Sequence, residues 1–190
     1  MIRKAKANDI SAVAEIYDAI HTAEESGMAV VGWVRGVYPT SSTAEAAVER
    51  GDLFVMTEDG AVVGAAIINQ AQCDGYETGA WRYPADAHEV MVLHTLVIAP
   101  SAAGRGYGRA FVRYYEHYAL AHGCPFLRMD TNERNARARE MYRALGYSEI
   151  GVIPTVFNGI EGVALVLLEK KLAGQESVAS GEHERDDDNE

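Results

Sequence analysis

The sequence predicts an α/β domain in which a mixed, mostly antiparallel sheet of six to seven strands is flanked by about four helices. Three observations predict it. Short apolar, β-branched runs alternate along the chain with stretches whose apolar residues repeat at helical spacing. Two of the runs, Leu53 to Thr57 and Val62 to Ile68, are joined through Glu58, Asp59 and Gly60, which makes an antiparallel hairpin. A third, Leu96 to Ile98, runs through Pro100 into a glycine-rich loop that opens a helix. At 190 residues, 48% hydrophobic and 24% charged, the chain has enough apolar mass for one core.

Each element has its own signal. Ile2 to Ala5 reads as a short strand. Asn8 is placed to cap a helix in which Ile10, Val13, Ile16 and Ile20 share a face, and Gly27 ends it. A loop with Trp33, Tyr38 and Pro39 leads to a second helix, capped by Ser42 or Thr43 and closed near Gly51. After the hairpin, Gln70 to His88 is a polar and aromatic connection containing Tyr76, Trp81, Tyr83 and Pro84. It is longer than compact domains usually use, so it is either a lid or an inserted loop.

Glu89 to Ile98 follows as the central strand, and its two-residue period puts Val90, Val92, His94, Leu96 and Ile98 on one face. The next helix, from Arg109 toward His122, has an apolar stripe of Phe111, Val112, Tyr115, Tyr118 and Ala119. Phe126 to Thr131 is a strand, and Asn135 to Leu145 a helix stopped by Gly146. Tyr147 to Ile153 and Val163 to Lys170 are the last two strands. The folded domain is therefore expected over residues 1–172. From Ala173 to Glu190 there are seven acidic residues, one Arg and almost no aliphatics, which predicts a disordered acidic tail.

Charge and cysteine content narrow the function. Net charge is −11, and without the tail the domain is still acidic. That argues against a nucleic-acid partner and favours cationic partners such as amines. Cys73 and Cys124 are too few for a disulfide framework, Met1 to Val13 lacks a signal-peptide core, and no apolar run approaches membrane-spanning length. A cytoplasmic protein with no membrane partner and no metal site is expected.

The most informative stretch is His94 to Arg109, HTLVIAPSAAGRGYGR. Glycines at 104, 106 and 108 let a tight loop turn its backbone N–H groups inward, and the helix that follows adds unpaired donors and the positive end of its dipole. This is a phosphate cradle. It is not a dinucleotide fingerprint, because Arg109 stands where the third glycine of GxGxxG belongs, nor a nucleotide-hydrolase loop, because GK[ST] occurs nowhere in the chain.

The run resembles the acyl-CoA cradle of the GCN5-related N-acetyltransferase (GNAT) superfamily, [QR]xxGx[GA] between an apolar strand and a helix. Here it reads AGRGYG: Gly106 and Gly108 match, while Ala103 replaces the Gln or Arg, leaving Arg105 and Arg109 to supply side-chain donors. A second block follows in order, since Asn135, Ala138, Tyr142 and the LGY at 145 to 147 reproduce NxxAxxxY…LGF with Tyr for Phe. The resemblance implies acetyl-CoA as acyl donor, held by Ala103, Gly104, Arg105, Gly106, Tyr107, Gly108 and Arg109. It also implies a GNAT fold whose central strands splay, so that the pantetheine arm bonds to backbone near Leu96, Val97 and Ile98, with Asn135 orienting the donor's amides. It places Trp33 and Tyr38 beside the acceptor, although both could equally cover the core. Trp81, in the second aromatic loop, and Glu89 are further acceptor-side candidates. A homodimer is frequent in the family.

Acetyl transfer to an amine then needs three things. An alkylammonium with a pKa of ~10.4 must lose a proton before it can attack. His94 has a suitable pKa range and sits in LHTLVI, where arylalkylamine N-acetyltransferases carry a strand His, but a satisfied core histidine is an equal reading. Asp130, five residues before Asn135, occupies the place of a basic Glu in the ribosomal-alanine branch, and Glu89 is a third candidate. Either carboxylate could instead hold the ammonium. The leaving thiolate needs a proton, for which Tyr142 matches the family's tyrosine, the alternative being a tyrosine that only packs. The acyl oxygen needs a donor, for which a backbone N–H near Val97 is the candidate. Asn132 reads as a turn residue. The expected reaction is direct attack in a ternary complex on a small cationic or aromatic amine or an amino acid. Protein N-terminal or lysine acetylation is the alternative enzyme reading, and a non-catalytic acyl-CoA sensor the alternative outside enzymes.

Overall fold

A computed structural model describes residues 1–173. The tail expected over residues 173–190 lies, apart from Ala173, outside the described residues. Seven strands form one sheet in the order β1-β2-β3-β4-β5-β7-β6. They are β1 Ile2–Lys4, β2 Leu53–Glu58, β3 Ala61–Asn69, β4 Val90–Ile98, β5 Phe126–Asn132, β6 Ser148–Phe157 and β7 Ile160–Lys171. The helices are α1 Ile10–Glu25, α2 Ser41–Arg50, α3 Tyr107–Ala121 and α4 Ala136–Ala144. Every strand pair is antiparallel except β4 with β5.

That parallel pair is short. β4 and β5 are in register from Val90↔Phe126 to Leu93↔Met129, and beyond Leu93 they no longer pair. The splay expected at the centre of the sheet is present. On the other side of β4 the register with β3 slips between Ala65 and Ile67, where Thr95 adopts φ +51°. Two residues of β4, Thr95 and Leu96, thus oppose one of β3, which is a β-bulge.

The bulge corrects the expected face of β4. Val90, Val92 and His94 keep the two-residue alternation. Beyond the extra residue the pattern inverts, so Leu96 and Ile98 join Met91 and Leu93 on the opposite face. That face packs against α3 and α4 through Phe111, Val112, Tyr115 and Tyr142. The other face carries α1 and α2, with Val13, Ile16, Tyr17, Ala44 and Ala47 against Leu53, Val55, Ile67 and Val97.

The connection between β3 and β4 is a packed cover on that second face. Tyr76 is 1% exposed against Val90, Val92 and Leu167. Trp81 stacks on the Arg128 guanidinium at 4.1 Å, and the buried Glu169 carboxylate accepts the Arg82 N–H at 2.9 Å. Buried aromatics anchor this segment, so it is packed rather than loosely inserted.

Several termini shift for local reasons. Asp9, rather than Asn8, closes the turn before α1 by accepting the Lys6 N–H at 2.8 Å. Thr40, rather than Ser42 or Thr43, stands at the start of α2, and its own N–H bonds Thr43 Oγ1 at 3.0 Å. Helix α3 begins at Tyr107 behind Gly106, two residues earlier than Arg109. The last hairpin is much longer than expected. Asn158 (φ +49°) and Gly159 (φ +84°) make a tight turn, and Pro154 is tolerated because β6 is an edge strand.

Candidate active site

The gap between β4 and β5 is a cavity of 150 Å³ that passes through the sheet. Leu96, Ile98, Asn135 and Tyr142 line it on the α4 side, and Trp33, Tyr38 and Phe157 on the α1 side, with Asp130 between them. Backbone alternation decides which amides face it. Ala99 donates its N–H to Val63 O on β3 at 2.9 Å, so in an antiparallel ladder Val97 also points toward β3. The N–H groups of Leu96 and Ile98 point the other way, into the gap that β5 has left.

Beyond Ile98 the chain turns through Pro100–Ala102 into the glycine loop. Gly104 and Gly106 lie at φ +82° and +81°, a region that side chains rarely adopt. A Cβ on either would meet no atom within 4 Å, so these glycines serve conformation and open access. Gly108 serves packing, since a Cβ there would come 3.1 Å from Met141 Sδ on α4. Among the described residues the backbone N–H groups from Gly104 to Arg109 have no protein acceptor. Six donors at one helix N-terminus suit an anionic diphosphate. Arg109 is exposed beside them. Arg105 bridges Glu58 at 3.0 Å, and the Tyr107 hydroxyl bonds the same carboxylate, so both tie the loop to β2.

Asp130 supplies a carboxylate to the gap. Burial pushes its pKa up to about 6, partly offset by the Tyr76 hydroxyl, which donates to Oδ2 at 2.8 Å. Tyr142 is 6% exposed and its hydroxyl makes no hydrogen bond among the described residues. Burial first, and then the Asp130 carboxylate, raises its pKa, so it holds its proton. Asn135 caps α4, its Oδ1 accepting the Ala138 N–H at 3.2 Å, while its amide nitrogen has no partner among the described residues. On the acceptor side, Trp33, Tyr38 and Phe157 form an edge-to-face chain with ring centroids 6.1 and 5.5 Å apart. The Tyr38 hydroxyl is bonded to Thr95 Oγ1 at the bulge, and burial pushes its pKa up to about 12.

Three candidates lie elsewhere. His94 does not line the cavity. Asn69 is oriented because its Nδ2 donates to Asp52 Oδ2 at 2.8 Å and its Oδ1 accepts the Ala71 N–H at 2.9 Å. His94 Nε2, 3.0 Å from that Oδ1, must therefore carry the proton, which leaves Nδ1 to accept from the Cys73 thiol at 3.5 Å. Burial lowers the His94 pKa to about 4 and raises that of Cys73 to about 12. Trp81 is committed to the packed loop, giving its Nε1–H to Tyr76 O at 2.7 Å. Glu89 lies at the opposite end of β4, where it accepts the Asp86 N–H at 3.3 Å.

Phe157, Thr95 and Tyr76 belong to the site without having been singled out for it. The Asn158–Gly159 pair signals the turn that brings Phe157 back to the gap. No residue type marks the bulge at Thr95. No helix among the described residues is long and apolar enough to cross a membrane, and no group of three His, Cys, Asp or Glu among them could hold a metal.

The architecture is shared with solved structures. A GNAT-family acetyltransferase from Streptococcus agalactiae 2603 superposes with a TM-score of 0.76 at 24% identity, over 91% of this chain and 95% of that one. A ribosomal-protein-alanine N-acetyltransferase from Brucella melitensis gives 0.66 at 20% identity, over 90% and 99%. A structure named as a candidate phosphinothricin N-acetyltransferase gives 0.67 at 20%, over 91% and 98%. These likenesses establish the fold. The family profile described as acetyltransferase (GNAT) matches residues 13–147, spanning the bulged strand, the glycine loop, Asp130 and Tyr142, and the chain belongs to that family of N-acetyltransferases.

Proposed function

We propose that this enzyme transfers the acetyl group of acetyl-CoA to the primary amine of a small cationic or aromatic acceptor or an amino acid, by direct attack in a ternary complex. The observation that carries the reading is the through-sheet cavity. It sets a half-buried carboxylate, Asp130, and a phenol with an unbonded hydroxyl, Tyr142, in one gap, with an aromatic wall on one side and gap-facing strand amides on the other. Acetyl-CoA supplies the acyl thioester. The unpartnered amides of residues 104–109 fit its diphosphate, and the gap-facing backbone of Leu96 and Ile98, with Asn135, fits its amide-bearing arm.

In this reading Asp130, with a pKa raised to about 6, is ionised at neutral pH yet basic enough to take the ammonium proton. Tyr142 Oη holds the proton that the departing thiolate needs. The N–H of Leu96 or Ile98 is the donor for the acyl oxygen. His94, with its lone pair engaged by Cys73 and its pKa lowered, is a structural histidine that ties β4 to β3 and to the covering loop. The reading as a non-catalytic sensor gains nothing from a phenol whose ring is packed but whose hydroxyl has no hydrogen-bonding duty among the described residues. A protein N-terminal amine is the second reading, favoured by the likeness to the ribosomal-protein-alanine enzyme.

The test is thiol release from acetyl-CoA against arylalkylamines, diamines, amino acids and N-terminal peptides, with calorimetry of acetyl-CoA binding alongside. Release with a small amine or amino acid, reduced at least tenfold by Tyr142→Phe, is expected. Release only with peptides would select the second reading, and tight acetyl-CoA binding without release on any acceptor would contradict both.

A further inference from the structure

The active-site cavity continues past Trp33 into a second one of 250 Å³, and the two share Gly32, Trp33, Asn132 and Val163. The charged walls of the second cavity are Glu24 near the end of α1, Glu133 and Arg134 after β5, and Glu161 near the start of β7. Three carboxylates face one guanidinium. Glu24 is fixed there by the N–H groups of Val31 and Gly32, at 2.5 and 3.1 Å, while Glu133 and Glu161 are exposed.

Acidic walls alone describe a solvated surface, but the waist between the cavities adds an independent feature. Asn132 is 7% exposed. Its Oδ1 accepts the Arg134 N–H at 3.0 Å, which fixes the orientation of the amide. Its NH2 group then has no acceptor among the described residues and faces the space that it lines. Gly32 makes room for it, because a Cβ there would lie 2.2 Å from Asn132 Nδ2. The residue is otherwise enclosed, so this donor opens onto the cavity, where an oxygen on a bound molecule would be its acceptor.

Asp130 and Asn132 stand two residues apart on β5, with side chains on one face and Cα atoms about 7 Å apart. An ammonium at Asp130 therefore puts an oxygen a few bonds away within reach of Asn132, and the remainder of the molecule passes Trp33 toward Glu24, Glu133 and Glu161. We infer that the acceptor is a basic α-amino amide: a primary amine, a carbonyl oxygen beside it and a second positive charge at its far end, as in lysinamide. The identity of the reacting amine rests on the acetyl-transfer reading above; the binding preference does not.

The experiment is calorimetric binding to the full-length protein of lysinamide, norleucinamide, which lacks the distal charge, and 1,5-diaminopentane, which lacks the carbonyl. Thiol release from acetyl-CoA is measured with each. Lysinamide should bind at least tenfold more tightly than either. The double variant Glu133→Gln, Glu161→Gln should cut its advantage over norleucinamide several-fold, and Asn132→Ala its advantage over diaminopentane. Equal binding of norleucinamide or diaminopentane, no binding of lysinamide, or an unchanged preference in the exposed-glutamate double variant would overturn the inference whether or not thiol is released. Selective lysinamide binding without thiol release would support it and contradict acetyl transfer.

Discussion

Asp130 and His94 began as rival bases, and what separates them is where their lone pairs go. His94 gives its proton to Asn69 and its lone pair to Cys73, whereas Asp130 faces the cavity with one hydroxyl, Tyr76, on Oδ2. Asp130→Asn should therefore lower kcat by about 10²–10⁴-fold, the usual range for losing a general base. His94→Gln should keep kcat within a few-fold, and its cost should show in thermal unfolding. Steady-state thiol release separates the two, and a large kcat loss in His94→Gln with Asp130→Asn active would reverse the assignment. The sequence placed Asp130 and Tyr142 by resemblance, but it could not say that the imidazole is satisfied. That depends on Asn69 and Cys73, which lie 25 and 21 residues away and meet it only across β3 and the covering loop.

At the scale of elements, the glycine loop was legible because its chemistry is local: positive φ at Gly104 and Gly106, then a helix start. Gly106→Ala should cost about 1 kcal/mol of stability, because the alanine Cβ is disfavoured in the left-handed region. It should also weaken CoA binding by redirecting the amides of residues 106–108. Thermal unfolding with a CoA titration measures both, and unchanged CoA affinity would remove those amides from the binding account. The bulge was not legible, since Thr95 at φ +51° carries no glycine to announce it, yet it turns Leu96 and Ile98 toward the α4 side. The last hairpin was only half legible. Pro154, Gly159 and Gly162 look like loop residues until β6 is known to be an edge, where a proline costs no ladder bond. That hairpin supplies Phe157, so an acceptor wall was hidden by the same misreading.

For the molecule as a whole, two half-buried, desolvated groups make opposite contributions to stability. His94, lowered from 6.5 to about 4, binds fewer protons folded than unfolded, so its contribution is full above about pH 6.5 and is lost as pH falls toward 4. Asp130, raised from 3.8 to about 6, binds more protons folded, so stability is lost as pH rises from about 4 to 6. In the wild type these slopes oppose. Between pH 4 and 6, His94→Gln should become less stable with rising pH, and Asp130→Asn more stable, as read by unfolding midpoints. Parallel curves for both variants would contradict the burial of one of the groups.

The central claim is that the carboxylate in the gap between β4 and β5 accepts the amine proton. Its most direct test is the pH dependence of kcat/KM for thiol release, measured on wild type and Asp130→Asn with the best acceptor. The wild type should lose activity as pH falls through about 6, and the variant should lack that limb and run at least a hundredfold slower. A variant that kept both the rate and the limb would show that the proton leaves by another route.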